Sequence, residues 1–252
     1  MVGMSRWLRG KQNSLQWLSA SVTDVGRVRQ LNEDSILDLP KRGIWAVADG
    51  MGGHAAGDVA SGEIVSALAQ LNAPDNLNAC SGQVAGAILH VNDRLRSIAN
   101  ERGASTVIGS TVVAACARGS RMAILWAGDS RAYRFRNNRL EQLTRDHDLA
   151  SDMAARNASE ELMNAIVNSN VVSRAVGAHD ELQIDEIRVA VEPGDAYLLC
   201  SDGLYKEVGD DGMSGALRET DPGRACARLM DAALLAGGRD NVSAIVIQAR
   251  PG

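Results

Sequence analysis

Four aspartates lie one or two residues from a glycine where short apolar runs of the sequence begin or end. The pattern occurs at Asp49-Gly50, Gly128-Asp129, Asp202-Gly203 and Gly238-Arg239-Asp240. Each run has the length of a buried strand, and glycine lets the backbone turn and come close to a ligand. A single Asp-Gly pair is common in ordinary turns, so the prediction of a site depends on the repetition.

The order of run and aspartate places the carboxylates relative to one another. The run Ile44–Ala48 stops at Asp49, whereas the run Val242–Ile247 begins just after Asp240. In an antiparallel sheet, the start of one strand lies beside the end of its neighbour. We therefore expect the four carboxylates to gather along one edge of a sheet.

Carboxylates held this close would repel one another strongly unless cations lay between them. Sites made of oxygen ligands alone favour magnesium, manganese or calcium, whereas zinc prefers histidine and cysteine. The four histidines of the chain show no zinc-binding spacing. A pair of divalent cations serves the hydrolysis of phosphate esters by activating a water and stabilising the developing charge. The residues alone thus predict a site for two divalent cations.

Seven stretches, spread over nearly the whole chain, carry a family resemblance. They are Gly26–Asp34, Ala46–His54, Gly109–Thr111, Ala127–Tyr133, Leu143–His147, Leu199–Leu204 and Asp240–Val242. In this order, they resemble the motifs of the metal-dependent protein serine/threonine phosphatases of the PPM, or PP2C, class in their compact bacterial form. The resemblance implies an α+β fold, a four-layer α-β-β-α sandwich of two antiparallel sheets between outer helices. It also implies hydrolysis of phosphoserine and phosphothreonine in proteins.

The resemblance assigns the metal ligands. Asp49 is expected to bridge two Mn²⁺ or Mg²⁺ ions. Asp202 and Asp240 would complete the coordination of one ion, and the carbonyl of Gly50 would touch the other. Water between the two ions would then attack phosphorus in line, without a phosphoenzyme.

Four further residues match family positions that act on substrate or water. Arg29 is the expected phosphate-binding residue, since its planar guanidinium suits bidentate contact with phosphate oxygens. Glu33 and Asp34 match residues that hold metal-bound waters. His54 is the expected general acid for the leaving alkoxide, because a histidine near its ordinary pKa suits that task around neutral pH.

The stretch 146–177 departs from the family pattern. Residues 150–164 are polar and alanine-rich, and we predict that they form a helix. In the phosphatases that the chain resembles, this region is a flap beside the active site. The usual His-Pro-x-Arg is missing before Val171–Arg174, and Ala155 stands near the place of the acidic residue that completes a third metal site. We therefore expect Asp129 to bind a third cation only weakly, or with Asp152 as its partner.

Periodicity predicts the elements that position these residues. Helical spacing of apolar residues predicts helices over 55–71, 84–103, 213–218 and 226–235. Alternating or apolar runs predict strands over 19–25, 44–48, 111–117, 122–127, 132–136, 140–143, 183–191, 196–201 and 242–247. Asn137-Asn138 predicts a hairpin turn. Strands, then helices, then strands again disfavour a Rossmann sheet.

The composition of the chain bears on its cellular compartment and on the kinds of partner that it can bind. The chain has 252 residues, of which 45% are hydrophobic, and we predict one phosphatase domain over 19–250 after a short leader over 1–18. Its net charge of −5 argues against a general nucleic-acid binder. Four scattered cysteines are typical of small core residues in a reducing cytosol. With no stretch of transmembrane length, we expect a cytoplasmic monomer.

The resemblance suggests partners. Members of the family usually oppose a serine/threonine kinase, and forkhead-associated-domain proteins are common phosphorylated targets. The stretches Ile108–Thr111 and Leu125–Ser130 resemble members tied to type VI secretion control.

Other functions fit parts of the pattern. A metal-dependent nuclease could use the same carboxylates, but the acidic balance counts against it. A nucleotide-binding protein would need a phosphate-binding loop motif that is missing. A calcium-binding structural module would leave Arg29 without a purpose. The alternative that we retain is a catalytically weak PP2C-like regulator that binds phosphoproteins, although every metal position that can be matched is acidic.

Overall fold

The computed structural model describes residues 15–52, 56–102, 108–147 and 172–252. The strands in these ranges form two sheets, in which all neighbours pair antiparallel. The first sheet has the spatial order β1 (Leu15–Asp24), β11 (Val242–Pro251), β10 (Ala196–Cys200), β7 (Arg131–Arg136) and β8 (Arg139–Gln142). The second has the order β2 (Asp34–Leu39), β3 (Ile44–Met51), β5 (Val112–Arg118), β6 (Arg121–Ala127) and β9 (Asp185–Ala190), with β4 (Gly109–Ser110) also paired to β3.

Helices cover the outer faces of both sheets. The helices are α1 (Gly57–Ala69), α2 (Leu77–Arg102), α3 (Asp202–Tyr205), α4 (Asp210–Leu217) and α5 (Pro222–Ala236). Ile64 of α1 and Ile88 of α2 pack on the second sheet. Met213 of α4 and Leu229 of α5 pack on the first. The order of layers is therefore helix, sheet, sheet, helix, which confirms the predicted four-layer α+β fold.

The layer between the sheets is built by alternation along the strands. Successive side chains of a strand point to opposite faces, and β10 shows the consequence. Its Tyr197 and Leu199 pack between the sheets, whereas Leu198 and Cys200 pack against the outer helices. Because β10 is buried on both faces, it reads in the sequence as a continuous apolar run.

The predicted helix over 150–164 lies outside the described residues. The other elements follow the sequence prediction, except that α2 begins at Leu77 rather than at 84, that β4 and α3 were not predicted, and that three strands differ. Strand β1 begins at Leu15, so Leu15–Leu18, assigned from the sequence to the leader, belong to the sheet. Strand β3 continues through Asp49 to Met51 rather than stopping at Asp49. Strand β2 was not predicted, because half of its residues are polar and its burial lacks a two-residue period.

The structure contains the predicted hairpin turn and places the cysteines in the core, as the sequence indicates. Asn137 and Asn138 both have positive φ, 51° and 60°, as a two-residue hairpin turn between β7 and β8 requires. All four cysteines are buried and free. None of the helices in the described ranges combines the length and the hydrophobicity of a membrane span.

Replacement of Leu199 by alanine tests the layer between the sheets. Leu199 is fully buried there, so Leu199→Ala leaves a cavity and should lower the free energy of unfolding by about 2–5 kcal/mol. Leu235 on α5 is 82% exposed, so the same substitution there should change it by less than about 0.5 kcal/mol. Urea denaturation of both variants measures the difference, and equal effects would contradict the assigned packing.

Candidate active site

The residues predicted from the sequence meet in one cavity. Seven of them line a cavity of about 600 Å³: Arg29, Glu33, Asp49, Gly50, Asp129, Asp202 and Asp240. Asp34 is paired with Asp49 across β2 and β3. The predicted His54 and Asp152 lie outside the described residues.

The carboxylates come from both sheets rather than from one sheet edge. Asp49 belongs to β3 of the second sheet, whereas Asp202 follows β10 and Asp240 precedes β11 of the first. Asp129 lies in the connection from β6 to β7, which crosses between the sheets. The expectation of a single edge was therefore wrong, because the packing of a second sheet brings two sets of strand ends to the same end of the molecule.

Asp49 lies where negative charge is least favourable. Burial raises its pKa well above the ordinary value, and the charges of Asp34, Asp202, Asp129 and Asp240 raise it further. Its backbone is nevertheless firmly held. The carbonyl of Asp49 accepts hydrogen bonds from the amide of Thr111 at 2.8 Å and from the hydroxyl of Ser110 at 3.0 Å.

Asp34 is the most enclosed carboxylate of the group, with 7% of its surface exposed. Ser201 Oγ donates to its Oδ2 at 2.8 Å. Burial raises its pKa to about 6, hydrogen bonds from Ser243 and Ser201 oppose the shift, and the charges of Asp202 and Asp240 add to it. Its Oδ1 is buried and has no hydrogen-bond partner among the described residues. A buried carboxylate oxygen without a partner beside other acids is a feature that a bound cation or a cation-bound water would satisfy.

The turn that carries Asp129 is held by His147. The amide of His147 donates to the carbonyl of Gly128 at 2.9 Å, and the amide of Gly128 donates back to Nδ1 at 3.2 Å. Because Nδ1 accepts, Nε2 carries the proton and donates to Asp185 Oδ2 at 3.1 Å. Burial raises the pKa of Asp129 to about 6, and the charge of Asp202 adds to the shift. The structural role of His147 was not recognised from the sequence.

Asn241 holds the loop that carries Arg29 and Glu33. Its Nδ2 donates to the carbonyls of Val25 and Leu31, both at 2.9 Å. Its Oδ1 accepts from the amide of Glu33, also at 2.9 Å. The side-chain amide of Asn241 therefore makes three hydrogen bonds to one loop, which no spacing in the sequence reveals.

Two glycines of the repeated pattern are required by close backbone approach. A Cβ at Gly50 would overlap the carbonyl oxygens of Gly57 and Glu33, and one at Gly203 would overlap the carbonyl oxygen of Asn241. The contacts of Gly50 let the end of β3 approach the start of α1 and the loop before β2, and the contact of Gly203 lets the start of α3 approach the start of β11. The glycines thus serve to bring the acidic segments together.

Three cationic side chains pair with acids of the cavity. Arg29 Nη2 lies 2.8 Å from Asp240 Oδ2, and Lys206 Nζ lies 2.6 Å from Asp202 Oδ2. At the rim, Arg239 Nε lies 2.7 Å from Glu207 Oε1. Among the described residues, no three Asp, Glu, His or Cys side chains stand close enough to hold a metal ion. The donor set, all oxygen and rich in carboxylates, has the chemistry of a Mg²⁺ or Mn²⁺ site.

A family model and individual protein sequences were found to be similar to this chain, and they all describe protein phosphatases. The family model described as "Protein phosphatase 2C" matches residues 13–242. Serine/threonine protein phosphatase PstP of Mycobacterium tuberculosis is 32% identical over 228 residues, covering 90% of this chain and 44% of that protein. Serine/threonine phosphatase stp of Listeria welshimeri is 32% identical over 239 residues, covering 90% of this chain and 93% of that protein. The chain thus spans less than half the length of the mycobacterial relative.

Solved structures agree with the sequence relatives. PppA, described as a key regulatory component of T6SS in Pseudomonas aeruginosa, is 42% identical, with a TM-score of 0.86 over 94% of this chain and 99% of that one. The catalytic domain of PstP in complex with two manganese ions is 31% identical, with a TM-score of 0.81 over 94% of this chain and 100% of that one.

Replacement of Asn241 by alanine tests its role as a positioning residue. The change leaves two carbonyls and the amide of Glu33 without their partner, which should cost about 1–3 kcal/mol of stability. Hydrogen exchange at the Glu33 amide should accelerate as the loop is released. Asn100→Ala, on an exposed face of α2, is the matched control and should change neither quantity. Exchange at Glu33 that matches the control would refute the role.

Proposed function

The chain belongs to the protein phosphatase 2C family, and we propose that its acidic cavity hydrolyses phosphoserine and phosphothreonine esters in proteins. The observation that carries the proposal is the convergence of Asp49, Asp202 and Asp240 from separate elements in a cavity that Arg29 also lines. Carboxylates alone would serve many metal sites. An arginine beside them adds recognition of an oxyanion, which a structural calcium site does not need.

The proposed metal ligands are Asp49, Asp202, Asp240 and the carbonyl of Gly50, which would hold two Mn²⁺ or Mg²⁺ ions. The oxygen-only donor set supports hard cations, and the two manganese ions of the similar PstP structure support the number. When bound, the ions would supply an activated water and neutralise charge that develops at phosphorus. The raised pKa of Asp49 is consistent with a carboxylate that needs positive charge nearby.

Arg29 is the proposed binding residue for the substrate phosphate. Its side chain is 54% exposed, so it can be reached from solvent, and its guanidinium has donors to spare beyond the contact with Asp240. Glu33 Oε1 accepts from the amide of Gly57 at 3.2 Å, which fixes Glu33 at the start of α1. Glu33 and Asp34 would orient water in the cavity. His54 remains the predicted acid for the leaving alkoxide.

The proposed partners are phosphorylated regulatory proteins. A serine/threonine kinase would supply the phosphate that this chain removes, and a forkhead-associated-domain protein is a candidate substrate. The likeness to PppA supports a place in the control of a type VI secretion system. The acidic balance of the chain is compatible with such partners, since one local arginine suffices to meet a phosphate.

A phosphopeptide assay with and without Mn²⁺ tests the function. Phosphate release from phosphoserine and phosphothreonine peptides should require Mn²⁺ or Mg²⁺ and stop in excess chelator. Asp49→Asn removes charge from the centre of the carboxylate set and should lower kcat/KM at least about a hundredfold. Asp231→Asn, on an exposed position of α5, is the matched control with unchanged activity. Full activity of Asp49→Asn, or in chelator, would exclude the mechanism.

Arg29→Ala separates phosphate binding from metal binding. Loss of a charge-assisted contact worth about 1.5–3 kcal/mol should raise KM roughly tenfold to a hundredfold. Mn²⁺ affinity should stay the same or rise, because Asp240 loses its competing cation. Arg139→Ala, exposed on β8, is the control. Parallel losses of substrate and Mn²⁺ affinity, by kinetics and titration calorimetry, would mean that Arg29 supports the fold instead.

A further inference from the structure

Lys206 places a positive charge inside the acidic cavity. It directly follows α3, one helical turn after Asp202, and its Nζ lies 2.6 Å from Asp202 Oδ2. Its side chain is 39% exposed and lines the cavity. The backbone supports this position, because the amide of Lys206 donates to the carbonyl of Asp202 at 3.0 Å. The ammonium group is therefore held against one of the proposed metal ligands by the first turn of α3.

The charge of Lys206 acts on more than its direct partner. Burial tends to lower the pKa of Lys206, but the charges of Asp202, Asp129 and Asp49 outweigh it and keep the pKa raised. In return, Lys206 lowers the pKa of Asp129, against the larger effects of burial and Asp202. The ammonium group is thus placed on the side of the cavity where Asp202 and Asp129 lie.

Arg29 and Lys206 each pair with a different proposed metal ligand. Arg29 lies against Asp240 and comes from the exposed loop before β2. Lys206 lies against Asp202 and directly follows α3, the short helix between β10 and α4. The side chain of Arg29 is 54% exposed, whereas that of Lys206 is 39% exposed and pairs with Asp202 at the i,i+4 spacing of one helical turn.

We propose that Lys206 is a resident cation that takes the place of a further divalent ion beside Asp202 and Asp129, and so limits the cavity to two such ions. This inference rests on the proposed function, because it concerns the number of ions at that same site. An ammonium group 2.6 Å from Asp202 Oδ2 neutralises one charge and competes with a further Mn²⁺ for that carboxylate, since like charges repel. Lys206 also stabilises the acidic end of the sheets while no divalent cation is bound.

Three variants test the proposal with readouts other than activity. Lys206→Met keeps the length and removes the charge, Lys206→Gln keeps a polar end, and Lys206→Arg keeps the charge. Lys41→Met, exposed in the turn between β2 and β3, is the matched control. Native mass spectrometry and titration calorimetry count the bound Mn²⁺ ions and measure their affinities, and thermal denaturation in chelator measures Tm.

The expected effects have opposite signs. In chelator, Lys206→Met and Lys206→Gln should lower Tm by roughly 2–4 °C, since a charge pair is lost in a chain of this size. In Mn²⁺, the same variants should bind a third ion, or bind the weakest ion about tenfold more tightly, because a competing charge is gone. Lys206→Arg and Lys41→Met should match the unmodified chain in both measurements.

The outcomes separate this inference from the proposed function. An unmodified chain that binds no Mn²⁺ would refute the proposed function and this inference with it. An unmodified chain that binds two ions, with Lys206→Met and Lys206→Gln binding the same two at unchanged or weaker affinity, would refute the role of Lys206 alone. Stronger Mn²⁺ binding together with lower stability in chelator would support the role of Lys206, because replacement of a purely structural side chain would weaken both Mn²⁺ binding and stability.

Discussion

The main constraint on this structure is electrostatic repulsion between carboxylates that folding brings together at one end of the two sheets. Burial raises the pKa of Asp34 and of Asp129 to about 6, and that of Asp49 well above its ordinary value. Neighbouring carboxylates add to each of these shifts. A raised pKa means that folding places the charged form in a less favourable environment than water does. Any positive charge that binds here therefore stabilises the folded chain as well as serving a reaction.

Neutral groups keep the acidic segments together in spite of that repulsion. Asp34 and Asp49 face each other because β2 and β3 are paired, and Asn241 ties the loop of Arg29 to the start of β11. His147 holds the turn of Asp129 through two hydrogen bonds with the backbone of Gly128, one from its own amide and one to its ring Nδ1. These contacts involve amides, carbonyls and a neutral ring. None of these hydrogen bonds needs an ion, so they reduce the part of the ion-binding energy that would be consumed in ordering the loops.

The sequence predicts the acids better than it predicts what holds them. Apolar runs beside Asp49, Asp202 and Asp240 carry a local signal, so the strands and the set of carboxylates could be found from the residues. Their meeting place could not, because it depends on how a second sheet packs on the first. The contacts of Asn241 and Lys206 were missed for related reasons: Asn241 joins segments more than two hundred residues apart, and Lys206 reads as an ordinary exposed helix residue. Periodicity also failed for β2, since an edge strand with half polar residues shows no clear alternation.

The balance of charge in the cavity explains why the number of cations matters. Among the described residues that line it, the acids are Glu33, Asp49, Asp129, Asp202, Glu207 and Asp240, and the bases are Arg29, Lys206 and Arg239. Fully ionised, this lining carries an excess of three negative charges, which would repel a phosphate ester of charge about −1.5 to −2. One divalent cation would leave the excess negative, and two would reverse it to a single positive charge. A third would strengthen the attraction for substrate and for released phosphate alike, and such uniform binding does not raise kcat. With two ions bound, as we propose, the ammonium group of Lys206 would hold the cavity at the smaller positive excess, at which a phosphate could both enter and leave.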